Sequence, residues 1–219
     1  MTFDWLTDPH ILWLAGYWCF YFALHSLLAS HAVKRRVMAC CPRLAPRYRL
    51  LYTLVATVLL LPALYLLYTT PGPWLWRWDG VAGWIADALA LAALVGFVHS
   101  ARAYDMASFL GVRPSEPIVT PERAEPLRFS ASHRWVRHPW YFYGLILLWT
   151  RDMNAAMFVT AVLATGYIIL GTWLEERKLV AELGEAYREY RRQVPALIPL
   201  PWKRLKKQGL SEPARPGRR

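Results

Sequence analysis

The sequence predicts an all-α integral membrane protein with five transmembrane helices, and three observations carry that prediction. The 219 residues are 56% hydrophobic and only 19% charged, with 12 Trp and 12 Tyr. Their charges gather between long apolar runs instead of alternating with them. Residues 11–30, 50–68, 81–98 and 155–174 each approach or reach the roughly 20 residues that span a hydrocarbon core. Lys and Arg, finally, are placed asymmetrically. Lys34, Arg35, Arg36, Arg43, Arg47 and Arg49 stand together with no acid among them, and twelve more basic residues follow Leu174. The opposite loops hold only Arg77 with Asp79 and Arg151 with Asp152. This positive-inside pattern predicts an outside N-terminus and a cytoplasmic C-terminus, as in a multi-pass protein of a bacterial inner membrane.

Each element follows in order. The start, MTFDWLTDPH, sets Asp4 and Asp8 where a secretory signal carries positive charge, so the first helix is expected to be retained. That helix ends near SHAVKRRV. Pro62 falls in the middle of the second helix, where a kink is expected and tolerated. TTPGPWLWRWDG reads as a short outer turn whose Trp74, Trp76 and Trp78 suit the interfacial aromatic belt. Helix three returns near His99. Residues 102–137 form a long, proline-containing loop of mixed charge, a type usually functional or disordered. The fourth helix, residues 140–149, is short for a span and is expected to be tilted and partly covered by protein. RDMN turns the chain into helix five. Past Glu175 this helix is expected to continue outside the membrane. Val180, Leu183, Tyr187, Tyr190 and Val194 keep one apolar face there until Pro195, Pro199 and Pro201 stop it.

The net charge of +11 fits anionic lipid as its partner, because it sits at helix ends; nucleic acid is not predicted. Cys19, Cys40 and Cys41 form no CxxC and read as inert thiols. His25 and His99 have no metal-ligand spacing, so neither metal nor haem is expected. Asp87, in the opposite leaflet, reads as a capping or packing group.

The segment HRWVRHPWYFYG sets His133, Arg134, Arg137 and His138 against an apolar helix. The plain reading is an anchor at the head groups, paired with Glu175 or Glu176. Against it stands the excess of chemistry: two imidazoles, two carboxylates and Tyr141, Tyr143, Tyr187 and Tyr190 can face one interfacial pocket. The fourth and fifth helices form a hairpin that returns both segments to one membrane edge. Such a pocket suits a charged, aromatic-bearing cofactor and a membrane-soluble partner entering from the side.

RHPWYFYG followed by EERKLVAELGEAYREYRRQVPALIP resembles the C-terminal signature of the isoprenylcysteine carboxyl methyltransferase superfamily. FALHSLLASHAVKRR, RYRLLYTLVAT and DMASFLGVR are similar to its NnrU and methanethiol S-methyltransferase branches. The resemblance implies a membrane enzyme that binds S-adenosyl-L-methionine without a Rossmann domain. The chain agrees independently, since its glycines never fall as GxG. By the resemblance, Leu127, Arg128, His133, His138, Pro139, Trp140, Tyr141, Glu175, Tyr187 and Tyr190 bind the cofactor. His133 departs from the family, which commonly has Tyr there. Three regions are then expected: 1–101, an N-terminal three-helix membrane region; 102–202, the catalytic region; and 203–219, a basic disordered tail.

Methyl transfer is an in-line displacement and needs alignment more than acid–base power. Glu175 suits the cofactor's amino group or ribose, and Tyr141 the sulfonium. Arg137 either takes the cofactor carboxylate or pairs with Glu176. A thiol acceptor must lose a proton, for which His138 and Glu176 are the candidate bases. His25 lies nine residues before Lys34, about 13 Å along a helix. It and Ser26 either line the substrate pocket or bond to neighbouring helices. Three functions stay open: thiol methylation, carboxyl or phospholipid/amine N-methylation, and a non-catalytic NnrU-like role assisting nitrogen-oxide or haem enzymes.

Overall fold

The computed structural model describes residues 4–70, 72–113 and 130–205. The predicted tail beyond Leu205 and the cofactor candidates Leu127 and Arg128 lie outside the described residues. Helices dominate: α1 (Pro9–Ala29), α2 (His31–Cys40), α3 (Tyr48–Thr69), α4 (Gly80–Ala101), α5 (Met106–Phe109), α6 (Pro139–Trp149), α7 (Ala155–Leu183) and α8 (Glu185–Gln193). Among the described residues four segments are long and apolar enough to cross a membrane: Pro9–Ala29, Pro42–Thr69, Gly80–Ala101 and Ala155–Leu183. The chain is a multi-pass membrane protein. Its many exposed large apolar side chains, such as Trp13 and Trp84, follow from that, because lipid and not water meets them.

Local chemistry sets the helix ends. Asp8 caps α1 by accepting from the His10 amide, with Pro9 in the first turn. Ser30 both ends α1 and caps α2 through the Val33 amide. α3 stays one helix through Pro62. α6 has 11 residues, about 16 Å of helix at 1.5 Å per residue, roughly half a hydrocarbon core.

Two expectations change. The all-α reading misses a small antiparallel ladder between β1 (Trp74–Trp76) and β2 (Met153–Asn154). The outer turn is therefore pinned: the Trp78 amide donates to Asp152 at 2.9 Å, and the Ala155 amide to the Pro73 carbonyl at 3.0 Å. The single helix expected past Glu175 also breaks. Gly184 adopts φ +60, a left-handed conformation favouring glycine, and separates α7 from α8. Tyr187, Tyr190 and Val194 nevertheless remain one buried cluster with Val180 and Leu183 packed against it.

By their contacts the described residues form two compact units, 4–86, 105–113 and 149–167 in one and 87–104, 130–148 and 168–205 in the other. In the first unit Ile11, Leu14 and Trp18 of α1 pack with Ala63 and Leu67 of α3 and with Ala155 and Ala156. Small residues let the helix backbones approach closely. Gly111, at φ +78, presses on the start of α3; a Cβ there would lie 2.3 Å from the Leu50 amide nitrogen. That contact explains the glycine of DMASFLGVR. In the second unit the residues ahead of α6 pair with those after α8. The amides of Arg137 and His138 donate to the carbonyls of Pro195 and Ala196 at 2.9 and 3.1 Å.

Candidate functional site

Those two backbone bonds fix the RHP turn against the end of the chain's last described helix, and a charged cluster is built on it. Glu176 is its centre. Its Oε1 accepts from Arg137 Nε at 2.7 Å and Nη2 at 2.5 Å, with His138 Nε2 at 3.3 Å. Its other oxygen meets Arg191 Nε at 3.2 Å. Arg137 Nη1 donates to the carbonyls of Arg191 and Val194. The Arg137 and Glu176 side chains are each 8% exposed, so the pair is desolvated and densely hydrogen-bonded, the condition under which buried charge is tolerated.

Glu175, its sequence neighbour, behaves differently. Its side chain is 46% exposed, accepts from the Tyr141 hydroxyl at 3.3 Å and lies 3.6 Å from His138 Nδ1. His138 thus faces a carboxylate on each ring nitrogen. Its ring stacks on that of Tyr141, with centroids 5.5 Å apart and planes 12° apart.

A neutral wall stands beside these charges. His133 is buried, and its Nδ1 accepts from the Ser130 amide at 2.9 Å. The ring proton of the neutral form is then on Nε2, 3.3 Å from the Tyr104 hydroxyl. Burial first, and the neighbouring His138 second, push the His133 imidazole down to about 4. It is uncharged at neutral pH. Tyr104 and Phe97 both pack on Trp140, with centroids 5.1 and 5.3 Å away. Burial and the Glu175 carboxylate raise the Tyr104 phenol above its ordinary value. Burial pushes the Tyr187 phenol up to about 12, the negative charge of Glu176 adding to it. Tyr190 donates to the His133 carbonyl at 2.7 Å and ties α8 to this wall.

The structure therefore brings His133, Arg137, His138, Trp140, Tyr141, Glu175, Glu176, Tyr187 and Tyr190 into one unit, with Pro139 opening α6. Tyr143 is in the same unit but bonds away from the charged cluster. Two residues beyond Tyr141, it is turned about 200° around the helix and bonds Ser132 at 2.9 Å. Sequence reasoning missed Arg191 and Tyr104. The i+4 step from Tyr187 was a signal for the first; nothing near Tyr104 marked it.

His25 and Ser26 belong to the other unit and form a separate polar group. His25 Nδ1 lies 2.8 Å from the Tyr167 hydroxyl, and Nε2 lies 2.7 Å from that of Tyr52. Ser26 Oγ is 3.0 Å from the same Tyr167 hydroxyl. Both imidazole nitrogens are thus engaged by neutral partners, the bonding to neighbouring helices that was one of the two sequence readings. Among the described residues no group of three or more His, Cys, Asp or Glu is placed to hold a metal ion, and the three cysteines are free and exposed.

Fold and cluster together define a multi-pass membrane protein with a charged, aromatic-walled site where apolar helices end. Comparison with known proteins gives the family. The chain is 33% identical to methanethiol S-methyltransferase of Mycobacterium tuberculosis over 195 residues, 81% of this chain and 73% of that one. It is 33% identical to methanethiol S-methyltransferase of Crocosphaera subtropica, covering 81% and 71%. Against methanethiol S-methyltransferase 2 of Bradyrhizobium diazoefficiens the identity is 31%, covering 80% and 68%. No protein-family model and no solved structure matches the chain. The chain belongs to the methanethiol S-methyltransferase family, and it is a membrane methyltransferase.

Proposed function

We propose that the protein transfers a methyl group from S-adenosyl-L-methionine to the sulfur of a small thiol at the Glu175–Glu176 cluster. The observation that supports this most is the unequal use of two adjacent carboxylates. Glu176 is consumed by two guanidinium groups and an imidazole, whereas Glu175 stays half-exposed beside Tyr141. The donor set fits a cationic, aromatic-bearing ligand. Glu175 takes an ammonium or ribose hydroxyls, and the rings of Tyr141, His133 and Trp140 offer faces to a sulfonium and an adenine. When bound, S-adenosyl-L-methionine supplies an electrophilic methyl group on sulfur.

The chain's own residues then have three tasks. Arg137, Glu176 and Arg191 hold the turn and α8 rigid, so that alignment is built before substrate arrives. Glu175, Tyr141, Tyr187, Tyr190, His133, Pro139 and Trp140 shape the donor's site. His138, with a carboxylate facing each ring nitrogen, is the group placed to take the thiol proton, and those carboxylates would stabilise the imidazolium. A thiolate held in line there would take the methyl carbon, the donor sulfur leaving with the carbon–sulfur electron pair.

The reading further places the N-terminus outside and the C-terminus in the cytoplasm of a bacterial inner membrane, with the short α6, partly covered by protein, as the core of the fifth crossing. It assigns residues 102–202 to catalysis. The test is product formation. Purified protein given methyl-labelled S-adenosyl-L-methionine and methanethiol should yield labelled dimethyl sulfide, and Glu175→Gln should lower donor affinity at least tenfold. A thiol of pKa near 8.5 is mostly protonated at pH 6, so the rate at saturating donor should rise from about pH 6 to 8. Labelled methyl ester or methylated amine as the main product would overturn the thiol assignment.

A further inference from the structure

We propose that a cavity behind the RHP turn binds one acyl chain of an anionic membrane phospholipid, with the lipid phosphate on Lys203 and Arg204. The cavity is an open groove of about 460 Å³ lined by Ala131, Ser132, Trp135, Val136, Phe142, Tyr143 and Pro199. That size lies within the range of pockets for drug-sized ligands and is far larger than a one-carbon thiol needs. One short segment serves two sites. Ser132, Trp135 and Val136 line the cavity, whereas His133, Arg137 and His138 bond into the wall and charged cluster described above. Val136 is 2% exposed and stands in the partition. A guest in the cavity therefore touches the back of the turn and not the reacting groups.

The walls ask for an apolar guest. Among the lining side chains the hydroxyls are those of Ser132 and Tyr143, and these bond each other at 2.9 Å. That bond satisfies part of their hydrogen-bonding capacity within the wall. The Tyr143 ring is held by a deliberate gap: a Cβ at Gly96 would lie 2.6 Å from it, so only glycine admits the ring against α4.

The mouth asks for an anion. The Arg204 guanidinium lies 5.1 Å over the ring of Trp135, a cavity wall. Pro199, another wall, leads directly into exposed Lys203 and Arg204. On the same segment Ile198 and Trp202 are 70% and 76% exposed, as side chains at a lipid head-group level are. The turn also precedes the first residue of apolar α6, which puts the mouth where hydrocarbon gives way to water. Guanidinium and ammonium groups beside an apolar slot match a phospholipid: chain inside, phosphate at the rim.

The test uses the full chain purified in detergent, with bound lipid read by native mass spectrometry. Dioleoyl phosphatidylglycerol should be retained about tenfold more than the phosphatidylcholine of the same chains. The Lys203→Gln, Arg204→Gln pair should bring the two lipids level. Ala131→Trp, at an exposed position on the cavity edge, should lower retention of both about tenfold. A second readout does not depend on that variant folding: phosphatidylglycerol brominated on its acyl chains should quench wild-type tryptophan fluorescence more than that of Trp135→Phe. Equal quenching, or wild-type retention in Ala131→Trp, would overturn the proposal. So would inorganic phosphate displacing the lipid, which marks a free-anion site, or a thiol acceptor displacing it, which marks the acceptor's own chamber.

Discussion

Two polar clusters among the described residues are built on opposite terms. Around His25 the partners are neutral: one imidazole, two phenols and a serine hydroxyl, all within helices that face lipid. Around Glu176 the partners are ions, two guanidinium groups on one carboxylate with an imidazole beside them. A neutral network can sit deep in an apolar span because hydrogen bonds alone satisfy it. An ionic one needs its charges matched, and it sits where α6 begins and α8 ends, close to water. The difference teaches where function is kept. Glu176 is buried among three cationic or imidazole partners, and it is the neighbour with fewer partners, Glu175, that stays open.

Substitutions should break the two clusters unequally. Arg137→Ala leaves Glu176 buried without its main partner, and such a loss costs about 3–5 kcal/mol. Thermal unfolding in detergent should show it as the largest drop of the series, with methyl transfer abolished. Next comes acid. His133 ionises near 4 folded and near its ordinary 6.5 unfolded, so as pH falls the unfolded chain takes the proton first. Stability should therefore fall between pH 6.5 and 4 and level off below, by up to about 3 kcal/mol from this residue. His133→Phe should flatten that slope. Tyr190→Phe removes one buried hydroxyl bond to the His133 carbonyl and should cost about 1 kcal/mol. Smallest is Tyr52→Phe in the neutral cluster, about 0.6 kcal/mol as for other bonds between membrane helices. A Tyr52→Phe loss as large as that of Arg137→Ala would erase the contrast between the clusters.

Much of this was legible from residue order. Apolar runs located the four long spans, and the spacing of RHPWY and Glu-Glu gave the cluster, because a hairpin returns both segments to one membrane edge. Other features were hidden for physical reasons. The β1–β2 ladder involves three residues and two, too few for an alternation to show, and its tryptophans also suit an interfacial belt. The break at Gly184 lies inside an unbroken 3–4 apolar spacing, since Tyr187 and Tyr190 return to the face that Val180 and Leu183 began. Tyr104 meets His133 and Trp140 across a long stretch of sequence, and Tyr52 and Tyr167 meet His25 from different helices. Such partners are chosen by packing and leave no local signal.

The central claim is that Glu175 is the open carboxylate that holds the methyl donor while Glu176 holds the protein together. Equilibrium binding of S-adenosyl-L-methionine to the purified chain tests it directly, measured with thermal unfolding on the same samples. Glu175→Gln should weaken binding at least tenfold and leave the unfolding temperature within about a degree of wild type, because the group is half-exposed. Donor affinity unchanged in Glu175→Gln, in a protein that unfolds as wild type does, would contradict the account.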